Sequence, residues 1–224
     1  MRRFWNHVMA IAGRDLRIEG RSGEVLSVVL PFAAVAVFVV PLATDPLTTD
    51  LSALAFPVYW LVSLLFGMQV ALRQTGTEST MQRRQLALAG VDPLARFLGR
   101  VVAAATLIFS VTLFTLPLVI LFYDPQPLPP LLPTTGTVLL FATGLSVLST
   151  LAGDVTVGLR TRSALAPLIV APLAVPLIIG ASRSLESLSR GGGSLAWTGL
   201  LVMVDLALAM AAVFAARPME EATI

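Results

Sequence analysis

A chain of 224 residues that is 56% hydrophobic and only 12% charged, with a mean hydropathy of +0.87, lacks the balance of a soluble domain. The composition is that of an all-α membrane protein, with room for roughly six helical spans of about 20 residues and no separate soluble domain. All 15 basic residues are arginine, so a pI near 9.9 on a net charge of +2 reflects charge gathered on one side of a membrane and not a nucleic-acid surface; the absence of cysteine excludes disulfides, thiolate metal sites and covalent haem attachment.

Residues 1–24 are too polar to span and lack the apolar core and small-residue cleavage site of a signal peptide. On a helical wheel Phe4, Trp5, Val8, Met9, Ile11, Ala12 and Leu16 share one face, with Asn6, Arg14 and Arg17 opposite. That is the pattern of an amphipathic helix lying in the lipid interface. Asp15 intrudes on the apolar face and predicts that the helix lifts or turns there. The first span is expected at 25–43, with Pro31 inside it, followed by a tight polar turn at 44–50 holding Asp45, Pro46 and Asp50. The second is expected at 51–72, with Tyr59 and Trp60 near its middle.

Residues 73–100, RQTGTESTMQRRQLALAGVDPLARFLGR, form the longest polar segment between spans and hold five of the arginines. Such a segment cannot sit in hydrocarbon. The pattern predicts a short helix from near Thr77 to Leu88, closed by Gly90, whose freedom at positive φ suits a helix end. Asp92 then suits an N-cap, and Pro93 suits the first position of the next helix, where no intrahelical donor is lost. The expected geometry is a short helix across the base of two spans, joined rigidly to the second, so that a push on it moves that span. The alternative is a solvated loop whose charges only set topology.

The third span is expected at 101–122. Residues 123–134, with Asp124 and prolines at 125, 127, 129, 130 and 133, are expected to run extended. The fourth and fifth spans are expected at 135–153 and 163–181, the sixth at 196–216, with links at 154–162 and 182–195. The fifth carries Pro167, Pro172 and Pro176, each removing a backbone donor, so it is expected to bend, as a hinge, a cavity wall or a packing kink. Six spans place 13 arginines on one side and only Arg183 and Arg190 on the other, which makes both termini cytoplasmic.

A self-sufficient ATPase needs the phosphate loop G-x-x-x-x-G-K-[ST], which a chain without lysine cannot carry. There is no H-E-x-x-H pair, nor any cluster of His, Cys and acids at ligand spacing. Asp205 is the acid well inside a span, a functional candidate by default. It reads either as part of a proton pathway or as an acid hydrogen-bonded to a helix neighbour or subunit interface.

TVGLR at 156–160, followed by PLAVPLIIGA at 172–181, resembles the signature of the CcmB family, the membrane subunit of the haem-exporter-type ABC transporter of cytochrome c maturation. FW at 4–5 with RDLR at 14–17, RSGEVL at 21–26 and LALAGVDPLARFLGR at 86–100 are similar to that family as well. The resemblance covers essentially the whole chain, is strongest over 153–181 and weakest in the last span. It implies a type-2 ABC exporter permease in the bacterial cytoplasmic (inner) membrane, with a coupling helix between the second and third spans. Glu78, Gln82, Arg83, Arg84, Leu86 and Asp92 become the candidate contacts to the motor, and Thr156, Gly158, Arg160, Pro172 and Pro176 the signature and hinge residues.

The implied partners are a CcmA-like ATP-binding subunit that holds the ATP, a CcmC-like haem-handling membrane protein, a periplasmic haem chaperone and a second copy of the chain. No cofactor is expected in this chain, and haem enters as cargo of the complex. The lone histidine, His7, rules out haem ligation by two histidines of one chain. That favours a mechanical role with haem held elsewhere. Two departures from the family pattern stand out: Arg84 where an acid is usual, and Gly90 where a proline is usual. The other readings are a type-2 permease for a drug, lipid or glycan, and an ion-coupled carrier using Asp205.

Overall fold

A computed structural model describes residues 2–45, 50–76, 88, 90–156 and 162–221, with side chains for all of these except 26, 75, 76, 162–164 and 216–221. The described elements are α1 (Arg2–Ser22), a π-helix (Val25–Val29) running into α2 (Leu30–Ala43), α3 (Leu51–Gly76), α4 (Pro93–Tyr123), α5 (Leu131–Val155), α6 (Arg162–Leu173), α7 (Val175–Ser189) and α8 (Leu195–Glu221). Four helices, α3, α4, α5 and α8, are long and apolar enough to cross a membrane. Two bent pairs raise the number to six: α1 with the helix ending at Ala43, turned by 52°, and α6 with α7, turned by 43°.

Length shows which part of each helix meets hydrocarbon. The 31 residues of α4 extend about 46 Å at ~1.5 Å per residue, against a hydrocarbon layer of about 30 Å. Its first turns, with Arg96 and Arg100, therefore stand at the base of the span, before the apolar run that begins at Val101. In the first bent pair the apolar run up to Ala43 is the crossing part, and α1, with five arginines, turns away from it.

The bundle is organised around α4 and α5. Helix α4 packs against α1, α2, α3, α5 and α8, while α5 packs against α3, α4, α6, α7 and α8. In α5, 67% of the most apolar stretch is buried, against 11% in α8, so α5 is central and α8 forms an outer wall. The core between α3 and α5 is aromatic: Trp60 stands between Tyr59 and Phe141, with both ring separations 4.8 Å.

Several elements differ from the sequence expectation. Helix α1 is unbroken through Asp15, so the expected lift or turn is absent; the carboxylate is tolerated on the buried face because Arg14 Nε donates to its Oδ1 at 2.9 Å. The stretch read as extended to residue 134 is already helical from Leu131, because proline is compatible with a first helical turn and Pro133 lies in one. The link expected at 182–195 is helical through Ser189, supported by Glu186, which pairs with Arg183 one turn before it and Arg190 one turn after.

Prolines shape the spans through the donors they lack. Pro172 and Pro176 deprive the carbonyls of Leu168 and Pro172 of their usual partners. Helix α6 ends between them, and α7 restarts after Ala174, whose N–H still reaches Val170 O at 2.8 Å. In α2, Pro41 leaves the Val37 carbonyl without its intrahelical donor, and Tyr123 Oη, at the end of α4, donates to that oxygen at 2.8 Å. Tyr123 replaces the missing N–H from a neighbouring helix. Tyr123→Phe should therefore cost about 1–2 kcal/mol in detergent unfolding, and appreciably less in a Pro41→Ala background, where the backbone supplies the donor again. Equal costs in the two backgrounds would refute the assignment.

Candidate functional site

Of the residues singled out by sequence, Asp92 and Thr156 fall at the arginine-bearing end of the bundle, and Pro172, Pro176 and Asp205 along α6–α8. Glu78, Gln82, Arg83, Arg84 and Leu86, with most of the short helix expected around them, lie outside the described residues. The junction between that segment and α4 is described. Gly90 has φ +72°, a conformation that a side chain would strain. Asp92 Oδ1 accepts the Leu94 N–H at 2.9 Å as the N-cap of α4, and Pro93 takes the first helical position. The start of α4 is thus fixed by a capped junction directly after Gly90 and Val91.

Helix α1 is clamped to that helix. Val8, Ile11, Ala12 and Asp15 form its buried face, and the contact is closest at Gly99 of α4. A Cβ at position 99 would come within 2.7 Å of Ile11 Cβ and 3.0 Å of the Val8 carbonyl oxygen, so only glycine allows this approach. Trp5 and Met9 are exposed on a second face, and Ala10, Arg14, Arg17, Ile18 and Arg21 line a groove on a third. At the far end of α1, Glu19 Oε1 accepts the Val25 N–H at 2.7 Å and so ties α1 to the start of the first span.

Among the described residues, ion pairs Arg73–Glu24 and Arg100–Asp154 cross between elements at this end. Arg73, late in α3, pairs with Glu24 ahead of α2, and both side chains are about half exposed. Arg100 of α4 forms a two-pronged pair with Asp154 of α5: Nη1 reaches Oδ1 at 2.8 Å and Nη2 contacts Oδ2. Arg100 is only 2% exposed. An exposed pair contributes about 0–1 kcal/mol, whereas removing one partner of a buried pair costs about 3–5 kcal/mol. The Arg100–Asp154 contact is therefore the one that joins the bases of α4 and α5.

Thr156 caps the end of α5, its buried hydroxyl donating to Ala152 O at 2.9 Å and Gly153 O at 3.2 Å. Gly158 and Arg160 lie outside the described residues. Pro172 and Pro176 are exposed and flank the bend between α6 and α7, away from Asp92 in sequence and in helix. Asp205 faces α5: Thr143 Oγ1 donates to its Oδ2 at 3.0 Å, and Oδ1 is buried against Gly144 with no hydrogen-bond partner among the described residues. Its surroundings are those of an acid packed between two helices.

Sequence reasoning missed Gly99, Glu19 and the Arg100–Asp154 pair. The last had a signal: Arg100 and Asp154 each lie one residue outside the expected third and fourth spans, and opposite charges at one membrane depth are natural partners. Gly99 had none, because a close approach depends on which helix lies opposite. Gly99→Ala should destabilise the protein by about 1–3 kcal/mol, lowering its unfolding midpoint in detergent by several degrees. An unchanged midpoint would mean that α1 is not seated on α4 in this way. Asp205→Asn keeps an acceptor for Thr143 and should leave the unfolding midpoint and function nearly unchanged; loss of function with folding intact would instead identify the acid as a working proton site.

The comparisons with known proteins agree along the length of the chain. The family model described as CcmB protein matches residues 6–220. A heme exporter protein B from Paracoccus denitrificans is 28% identical over 213 residues, covering 92% of this chain and 95% of that protein. A heme exporter protein B from Rhodobacter capsulatus is 30% identical over 206 residues, covering 89% of this chain and 88% of that protein. A match that begins within α1 and reaches the last turns of α8, on a bundle with four to six membrane-spanning helices, shows that this chain belongs to the CcmB protein family of membrane transport subunits.

Proposed function

We propose that this chain is the permease subunit of an ABC transporter complex of cytochrome c biogenesis, built on the type-2 exporter plan and driven by a separate CcmA-like ATP-binding subunit. The relatives' names support haem as the species handled by the complex. The work done is either haem export or release of a haem-loaded periplasmic chaperone, with a CcmC-like protein as a membrane partner. The excess of arginine at the α1 end supports a cytoplasmic position for that end and for both termini.

The observation that carries this reading is the capped junction at 90–93. A helix held against a motor, with Glu78, Gln82, Arg83, Arg84 and Leu86 at the contact, needs a stiff connection if its displacement is to reach the membrane. Asp92 and Pro93 support such a connection by fixing where α4 begins, with the cap two residues after Gly90. The chain has no lysine for a phosphate loop, which supports a separate ATP-binding subunit as the source of energy.

The test is reconstitution with the ATP-binding subunit in liposomes. Hydrolysis should depend on this chain, and Arg83→Glu with Arg84→Glu should lower it by about tenfold, as expected for charge reversal at a contact worth about 1.4 kcal/mol, with melting unchanged. Hydrolysis that is indifferent to the permease, or to both substitutions, would remove the proposal.

A further inference from the structure

The Arg100–Asp154 pair joins two helices at the level where both polar connections of the α1 end leave the bundle. Arg100 lies about 10 Å along α4 from Pro93, the first residue after the Asp92 cap. Asp154 lies in the last turn of α5, one residue before its end at Val155 and just ahead of the connection carrying Gly158 and Arg160. Thr156 fastens that end by bonding back to Ala152 and Gly153.

The geometry points to a positioning role: Arg100 and Asp154 couple the base of α4 to the end of α5, so that displacement of α4 at Pro93 carries the last turn of α5 with it. This inference rests on the motor-driven reading above. A two-pronged guanidinium–carboxylate contact fixes orientation as well as distance, because each oxygen is matched to its own nitrogen. The two matched atom pairs hold the guanidinium and carboxylate planes together, and the buried stem of Arg100 holds that contact to α4. Burial then keeps the contact closed. Separating the groups would leave each charge in a site from which water is largely excluded, with α1 packed over the adjoining Gly99.

The pair is thus a permanent joint, not a latch that opens in each cycle. When α4 tilts or turns, the end of α5 at Val155 and Thr156 has to follow. The motor then moves the ends of two helices while pushing on one.

The native chain has no cysteine, so a thiol cross-link within it can be confined to engineered positions. The double variant Arg100→Cys/Asp154→Cys would be purified in complex with the ATP-binding subunit and treated with a reducible bifunctional thiol reagent long enough to span the two side chains. The readout is the ATP-dependent change in hydrogen exchange of residues 154–162. That change, expected to be about tenfold, should be present in the native complex, lost in the variant without the cross-link and restored with it. An unlinked variant that keeps the native response, or a linked one that lacks it, would overturn the inference. If the native complex itself shows no ATP response, or no ATP-binding subunit co-purifies, the fault lies with the motor-driven reading instead. Arg100→Lys, which keeps a positive charge beside Asp154 but loses the two-pronged contact, supplies a second measurement: co-purification of the ATP-binding subunit and hydrolysis should stay within about twofold while holocytochrome c in cells falls about tenfold. A parallel fall in all three would overturn the positioning role in favour of a purely structural one.

Discussion

Hydrocarbon offers no hydrogen bonds, so each proline within a span leaves a carbonyl that the fold has to accommodate. Pro41 and the Pro172–Pro176 pair show two ways of doing so. Where the bundle is tight, a neighbouring side chain supplies the donor, as Tyr123 does for Val37. Where two prolines stand four residues apart, at 172 and 176, the helix breaks, and α6 and α7 meet at 43°. The first device locks α2 to α4, and the second yields a bent span. The same constraint therefore gives rigidity on one side of the bundle and a change of direction on the other.

The arginine-bearing end follows a different logic, set by charge. Helix α1 cannot enter hydrocarbon with its arginines, yet one of its faces is apolar enough to seek cover, and the glycine at position 99 provides the seat. Its remaining faces divide between exposed apolar residues, Trp5 and Met9, and a basic groove. The helix is thus a structural member of the bundle as well as an interfacial one. Arg100 and Asp154 are buried nearby because each satisfies the other, and that mutual dependence fixes where α5 ends relative to α4.

Membership of the CcmB family gives these features a mechanical setting. On the motor-driven reading proposed above, such a permease is moved by contact, and contact is useful only if the parts touched are stiff. The Asp92 cap, the Gly99 approach and the Arg100–Asp154 pair each stiffen one joint of the α1 end. Asp205 belongs to another part of the bundle, where α8 lies on α5 through Thr143 and Gly144. Among the described residues, nothing in that arrangement links it to the base.

Much of this was legible along the chain. The helical spans follow from apolar runs of sufficient length, the start of α4 from Asp92 and Pro93, the positive φ of Gly90 from the freedom of glycine at a turn, and the bend of the fifth span from its prolines. These depend on local chemistry, in which a residue's neighbours in sequence are also its neighbours in space. The tertiary structure alone decided that Tyr123 serves a carbonyl 86 residues away, that Asp154 answers an arginine 54 residues away, and that Asp15 remains on an unbroken helix. A proline announces a missing donor and a boundary charge announces a need for a partner, but which helix meets the need depends on how the bundle packs.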